Sequence, residues 1–174
     1  MSDWWAAFWF FLPAGIANAA PLFACRLPIL KDWNTPIDLG KTWRGKPIFG
    51  ANKTWRGLLF GTFVAALVGL LQYRVITSSV ESTFFIVIST AALGFGALAG
   101  DAVESFFKRQ IGVKPGDKWF PFDQIDYIIG GLLAVSPFVS LQIDDVLRVL
   151  VIYFGLHLIT SYIGYLIGFK KTPI

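Results

Sequence analysis

A chain of 174 residues, 55% apolar and only 15% charged, is too greasy for an ordinary soluble domain. Its net charge of +4, from 15 bases against 11 acids, needs no nucleic-acid partner, because the bases are placed as a membrane topology signal. A single cysteine excludes an intrachain disulfide, and one histidine with one cysteine cannot build a zinc site.

Apolar runs of spanning length recur at roughly 4–24, 57–77, 83–106, 124–142 and 147–169. About 20 helical residues cross the ~30 Å hydrocarbon layer. The chain therefore reads as an all-α integral membrane protein, a bundle of five transmembrane helices in a single domain over 1–174. In the first run Trp4, Trp5 and Trp9 sit near one end, as an interfacial aromatic belt does. Ala17-Asn18-Ala19 resembles a signal-peptidase site, but Met1–Asp3 carries no positive charge and the bases follow the apolar run, so a membrane span is the better reading. Pro13 in this run and Pro137 in the fourth are expected to kink their helices.

The connection 26–56 opposes a continuous helix, with Pro28, Pro36 and Pro47 and with Gly40, Gly45 and Gly50. A loop of this length in so small a protein is expected to carry function. Lys-Thr-Trp-Arg-Gly occurs in it twice, at 41–45 and 53–57, too short a unit for an architectural repeat. Gly40-Lys41-Thr42 looks like the end of a P-loop, but Thr35 stands where that motif needs its upstream glycine, and the reading fails. Gly57/Gly61, Gly96/Gly100 and Gly164/Gly168 make small-xxx-small pairs for close helix packing.

Residues 100–126 gather Asp101, Glu104, Asp117, Asp123 and Asp126 with Lys108, Arg109, Lys114 and Lys118 between two apolar runs. Charge beside a bilayer is expensive to keep and points to a site. On a helix, Asp101, Glu104, Ser105 and Lys108 fall within about 100° of one another and face one space. A Glu104–Lys108 pair at i,i+4 accounts for two of them at a few tenths of a kcal/mol, but not for Asp101. Asp123 and Asp126 open the next helix at i,i+3. The helix dipole alone favours acids there, yet two adjacent carboxylates repel unless a cation lies between them. A Mg²⁺ ion held by Asp101, Asp123 and Asp126 meets that need, since it takes one or two carboxylates plus phosphates and water. Lys53, Arg56, Lys108, Arg109 and Lys114 would then surround the phosphates. His157, the one histidine, lies deep in the fifth run beside Thr160 and Ser161, where a hydrogen bond within the bundle is expected.

All bases except Arg74 and Arg148 fall in the 26–56 loop, the 107–122 loop or the C-terminal Lys170-Lys171. These are alternate connections of a five-span bundle and share one side. By the positive-inside rule the N-terminus is outside and the C-terminus cytoplasmic, which puts both loops and the site at the cytoplasmic face of the cell membrane, in a multi-pass protein.

At these residues the chain resembles the membrane-embedded CTP-dependent cytidylyltransferases that make CDP-linked lipids. Their signature of S-x-x-K-R, a downstream K and then D-x-x-D is matched by Ser105-Phe106-Phe107-Lys108-Arg109, Lys114, and Asp123 with Asp126. The first loop adds Pro36-Ile37-Asp38 with Gly40, Gly45-Lys46, Ile48-Phe49-Gly50 and Asn52-Lys53-Thr54-Trp55-Arg56-Gly57. Where the bacterial and eukaryotic enzymes carry Gly-His-Gly-Gly and an Arg, this chain has Trp119-Phe120-Pro121-Phe122 and Gln124, so it is similar to the short archaeal branch.

The resemblance implies transfer of a cytidylyl group from CTP to unsaturated archaetidic acid (2,3-bis-O-geranylgeranyl-sn-glycerol 1-phosphate), giving CDP-archaeol and pyrophosphate with Mg²⁺. It implies Asp123 and Asp126 on the metal with Asp101 as a further ligand, and Lys53, Lys108, Arg109 and Lys114 on phosphates. Asn52, Thr54 and Ser105 would hydrogen-bond nucleotide or phosphate. The attacking lipid phosphate has its second pKa near 6 and is already ionised, so no general base is needed. The work is positioning and charge neutralisation. One or two cations, and a monomer or a homodimer, stay open.

Three alternatives remain. A phosphatidate cytidylyltransferase would use a diacyl lipid. A Mg²⁺-dependent phosphotransferase with a CDP- or UDP-linked donor would want D-x₂-D-G-x₂-A-R, which is missing. A small cation transporter would keep its acids well inside the bilayer, not crowded beside basic loops.

Overall fold

A computed structural model describes residues 3–76 and 83–168. Lys170 and Lys171, counted in the charge bias, lie outside the described residues. The elements are α1 (Asp3–Ala19), α2 (Pro21–Ala24), β1 (Thr42–Trp43), β2 (Lys46–Pro47), α3 (Trp55–Ile76), α4 (Thr83–Ile111), α5 (Phe122–Val135) and α6 (Ile143–Leu166). Among the described residues, four stretches are long and apolar enough to cross a membrane: Asp3–Ala24, Trp55–Val75, Thr83–Ile111 and Ile143–Leu166.

Two expected runs and one expected kink differ from the structure. The fourth run, read as 124–142, is helical only over Phe122–Val135. Its 14 residues measure about 21 Å, short of the ~30 Å core. Pro137 does not kink it but follows its end, where Ser136 donates its N–H to the Leu132 carbonyl at 3.1 Å. A ring without an N–H cannot extend that ladder. The third run, expected to stop at 106, continues to Ile111, so that Lys108 and Arg109 ride on α4 and not in a 107–122 loop. At 29 residues α4 is about 43 Å long.

Helices in lipid gain little from hydrophobic transfer and associate by close packing. Helix α4 is the hub, touching α1, α3 and α5. Its seam with α5 brings backbone against backbone: a Cβ on Gly130 would stand 2.8 Å from Gly100 Cα and 2.9 Å from Gly100 N. Gly61 meets the Ala17 carbonyl in the same manner, a Cβ there standing 2.8 Å from it, and Gly57 lies against the Pro21 ring, a Cβ there standing 3.2 Å from Pro21 Cβ. The third expected pair differs, since Gly168 has open space around it and φ +79°, and it ends α6 in the left-handed conformation common after a helix.

Two tyrosines tie the remaining helices together. Tyr127 on α5 donates to the Tyr153 carbonyl at 3.0 Å, and the Tyr153 hydroxyl donates to Phe8 on α1 at 2.6 Å. Both are buried beside Phe11, whose ring lies 4.9 Å from that of Tyr153. A buried hydroxyl that finds a carbonyl avoids the cost of an unpaired polar group.

Candidate active site

The two copies of Lys-Thr-Trp-Arg-Gly fold differently. In the first, Thr42 and Trp43 pair with Pro47 and Lys46 across a two-residue turn, Arg44-Gly45. Both turn residues have positive φ, 51° and 76°, as the common hairpin turn requires. In the second, Thr54 Oγ1 accepts the Gly57 N–H at 3.2 Å and α3 starts at Trp55. The base of the loop is closed by Ile37 N–H to Lys53 O at 2.8 Å and Trp55 N–H to Thr35 O at 3.0 Å. Its tip is fastened to α4 by Lys46 Nζ donating to the Gln110 carbonyl at 2.6 Å. The loop is thus an ordered strap over the end of α4.

Beneath the strap lies a charged cavity of about 380 Å³, lined by residues 49–53, one face of α4, residues 115–118, Asp123, Gln124 and His157. Lys53 Nζ donates to both oxygens of Asp101 at 2.6 Å. Lys108, buried on α4, sits between Asp123 at 2.5 Å and Glu104 at 3.5 Å. Asp123 also accepts the Trp119 N–H at 2.6 Å. Arg109 is buried, with Nε and Nη1 lacking hydrogen-bond partners among the described residues and Nη2 on the Lys114 carbonyl at 3.3 Å. A desolvated guanidinium edge of this kind suits an anion.

One carboxylate oxygen each from Asp101, Glu104 and Asp126 lies within 4.8 Å of the others. This group could hold a metal ion. Glu104 Oε1 is buried and, among the described residues, has the Lys108 ammonium at 3.5 Å beside it and no hydrogen bond, and an all-oxygen donor set suits a hard cation.

The structure sorts the expected site residues. Asn52, Lys53, Asp101, Ser105, Lys108, Arg109 and Asp123 line the charged cavity. Asp126 joins the carboxylate group, and Glu104, not Asp123, is the third member. Arg56 is turned inward, donating to the Leu30 and Lys31 carbonyls at 3.1 and 3.0 Å, so it braces the loop. Thr54 caps α3 and faces a neighbouring cavity of about 300 Å³ together with Asn18 and Asn52. Lys114 meets Arg109 through its carbonyl, and its side chain does not line the cavity. His157, expected away from the charged rim, lines the cavity from α6, its ring 5.9 Å from that of Tyr127. Of the lining residues on α4 and α5, Gln124 and Glu104 are the ones the sequence did not assign. The helical face shared by Asp101 and Glu104 was the one signal that could have found Glu104.

A second, apolar groove of about 700 Å³ runs along the α4–α5 seam, past Phe95, Val103, Phe107, Ile125, Ile129 and Leu133. Glu104 and Asp126 lie in its wall. The carboxylate group is therefore open on one side to charge and on the other to hydrocarbon. Such a two-faced site, built among membrane-length helices, suits a partly ionic, partly apolar ligand of a membrane protein.

Comparison with known proteins makes this specific. A family profile described as CarS-like, CDP-archaeol synthase, matches residues 4–174. The CDP-archaeol synthase of Thermococcus onnurineus is 36% identical over 168 residues, 96% of this chain and 95% of its own. That of Methanosphaerula palustris is 39% identical over 172 residues, 93% of this chain and 99% of its own. A solved structure described as an intramembrane enzyme for archaeal membrane lipids biosynthesis aligns with TM-score 0.74 and 28% identity, over 89% of this chain and 92% of that one. The chain belongs to the CDP-archaeol synthase family, and it is a membrane protein.

Proposed function

We propose that the charged cavity binds CTP, that Asp101, Glu104 and Asp126 hold Mg²⁺, and that the α4–α5 groove holds the isoprenoid chains of the lipid phosphate. As a member of its family the chain is a cytidylyltransferase that forms CDP-archaeol, a nucleotidyltransferase of archaeal lipid synthesis. The observation that carries the finer reading is the position of Glu104, which lines both the charged cavity and the apolar groove.

In the reaction an oxygen of the lipid phosphate bonds to the α-phosphorus of CTP while the bond from that phosphorus to the β-phosphate bridge breaks, releasing pyrophosphate. Bringing these two anions together is the main barrier, so preorganised positive charge is what the protein must supply. Lys53, Lys108 and Arg109 supply it, aided by hydrogen bonds from Asn52 and Ser105. Asp123 holds Lys108 in place and borders Glu104. Bound Mg²⁺ would neutralise phosphate charge at the carboxylate group. The fold is read as one membrane domain over 1–174 with five crossings, N-terminus outside, and the cavity facing the cytoplasm. The short α5 crosses with the help of its flanking turns.

Purified protein given labelled CTP, Mg²⁺ and an isoprenoid-ether glycerol phosphate should yield a labelled lipid and pyrophosphate in equal amounts. Product with a diacyl phosphate but none with the ether lipid would refute the substrate assignment, and no CTP-dependent product would refute the cavity assignment.

A further inference from the structure

We infer that Asp38 is a positioning residue: its carboxylate sets residues 49–53 so that Lys53 reaches the floor of the cavity. The inference rests on the reading of that cavity as the nucleotide site.

Asp38 is buried at 7% exposure and, among the described residues, makes no ion pair. A buried carboxylate without a cation needs other donors. It has three, all backbone amides: Gly40 at 2.9 Å on Oδ1, and Phe49 at 2.8 Å with Gly50 at 3.0 Å on Oδ2. One side chain therefore clasps the outgoing and returning arms of the strap. The clasp closes where the chain must bend, since Gly50 has φ +89°, a value side-chain-bearing residues rarely adopt. Ala51, Asn52 and Lys53 follow at once and line the cavity, whereas Asp38 does not. It acts through the loop, not on substrate.

Charge matters here as well as shape. Replacing Asp38 by Asn leaves the volume nearly unchanged but removes one acceptor and turns an NH₂ toward an amide donor. The 49–50 arm is then released or the Gly40 turn is lost. Hydrogen bonds to an ionised acceptor are the strong ones, so the loss should be felt in the loop's position.

The test is steady-state kinetics of Asp38→Asn with CTP and lipid varied separately. KM for CTP should rise about tenfold or more, and KM for the lipid should stay within about twofold, because the lipid groove lies on the far side of α4. In a cycle with Lys53→Met, the double variant should be no worse than Lys53→Met alone. An unchanged KM for CTP, a fall in turnover that only tracks the folded fraction, or penalties that multiply would each overturn the inference. A second readout does not need turnover. In a Cys25→Ser background carrying Ile48→Cys, a half-buried position on the returning arm, Asp38→Asn should speed maleimide labelling of position 48 severalfold, and Asp38→Glu, where Asn does not fold, should do the same more weakly. Labelling at the parent rate would refute the clasp. If the parent protein itself turns over no CTP, the proposed function fails, while the labelling still decides the role of Asp38.

Discussion

Lys53 Nζ stands 2.6 Å from both carboxylate oxygens of Asp101, joining the strap to α4 across 48 positions of sequence. A lysine held this way is aimed at the cavity and is ready to pass its charge to an arriving phosphate. Lys53→Ala should lower turnover on the order of 100-fold, the scale for removing one preorganised charged donor. Lys41, its counterpart in the first Lys-Thr-Trp-Arg-Gly copy, is exposed beside the hairpin. Lys41→Ala should cost less than about threefold in the same labelled-CTP assay. Equal losses would show that the two copies share one task.

The carboxylate group makes a second expectation. Asp126→Asn and Glu104→Gln should raise the Mg²⁺ concentration for half-maximal activity about tenfold, because each removes an oxygen from the proposed set. Asp123→Asn should instead lower turnover with little change in the Mg²⁺ requirement, since Asp123 is paired with Lys108. Titrating activity with Mg²⁺, and Mn²⁺ binding followed by electron paramagnetic resonance, separates the cases. A Mg²⁺ shift confined to Asp123→Asn would move the metal to the other side of Lys108.

Much of this was legible in one dimension. Hydropathy marks the helices because the bilayer tests every residue of a span, and helical spacing put Asp101, Glu104, Ser105 and Lys108 on one face. What the sequence could not supply was rotation and tertiary context. Asp123 and Asp126 are neighbours on α5, yet one turns to Lys108 and the other to the carboxylate group, a choice set by the Gly100–Gly130 seam. The repeated pentapeptide becomes a hairpin in one place and a helix start in the other, because Arg56 finds the Leu30 and Lys31 carbonyls while Arg44 stays exposed. His157 reaches the cavity only because α6 packs against α5 at Tyr127.

That seam can be tested directly. A Cβ on Gly130 would lie 2.8 Å from Gly100 Cα, within contact of backbone that has no flexible end to move aside. Gly130→Ala should destabilise the protein by about 1–3 kcal/mol, the usual cost of overpacking. It should also weaken Mg²⁺ use by rotating Asp126. Thermal unfolding in detergent, with the Mg²⁺ titration on the surviving fold, measures both. Unaltered stability would mean that the helices have room to part.

The Asp38 clasp has a signature in pH. Burial raises the pKa of its carboxyl, but the amides of Phe49, Gly50 and Gly40 together outweigh that and hold it below the ordinary 3.8. A group depressed in the folded state contributes its full stability above the unfolded pKa, and loses it as pH falls through the lower, folded value. Protease cleavage within the strap should therefore stay slow from neutral pH down to about 4 and accelerate below it. Asp38→Asn should be cleaved faster throughout and lack that acid step. An identical acid step in the variant would assign it to another carboxylate.

The apolar groove carries the remaining expectation. Ala99 and Ala134 line it between the larger Phe95, Ile129 and Leu133, and a bulky side chain at either position would occupy space meant for hydrocarbon. Ala99→Trp or Ala134→Phe should raise KM for the isoprenoid-ether phosphate about tenfold, and a substrate with shortened chains should recover most of the loss. Neither should change KM for CTP, because the charged cavity lies across Glu104 from the groove. The split between substrates is what distinguishes a blocked groove from a damaged fold, which would lower activity with both. Should the long-chain lipid bind the parent and the filled grooves alike, its chains must leave the protein by another seam, and α5 would be serving only to place Asp126.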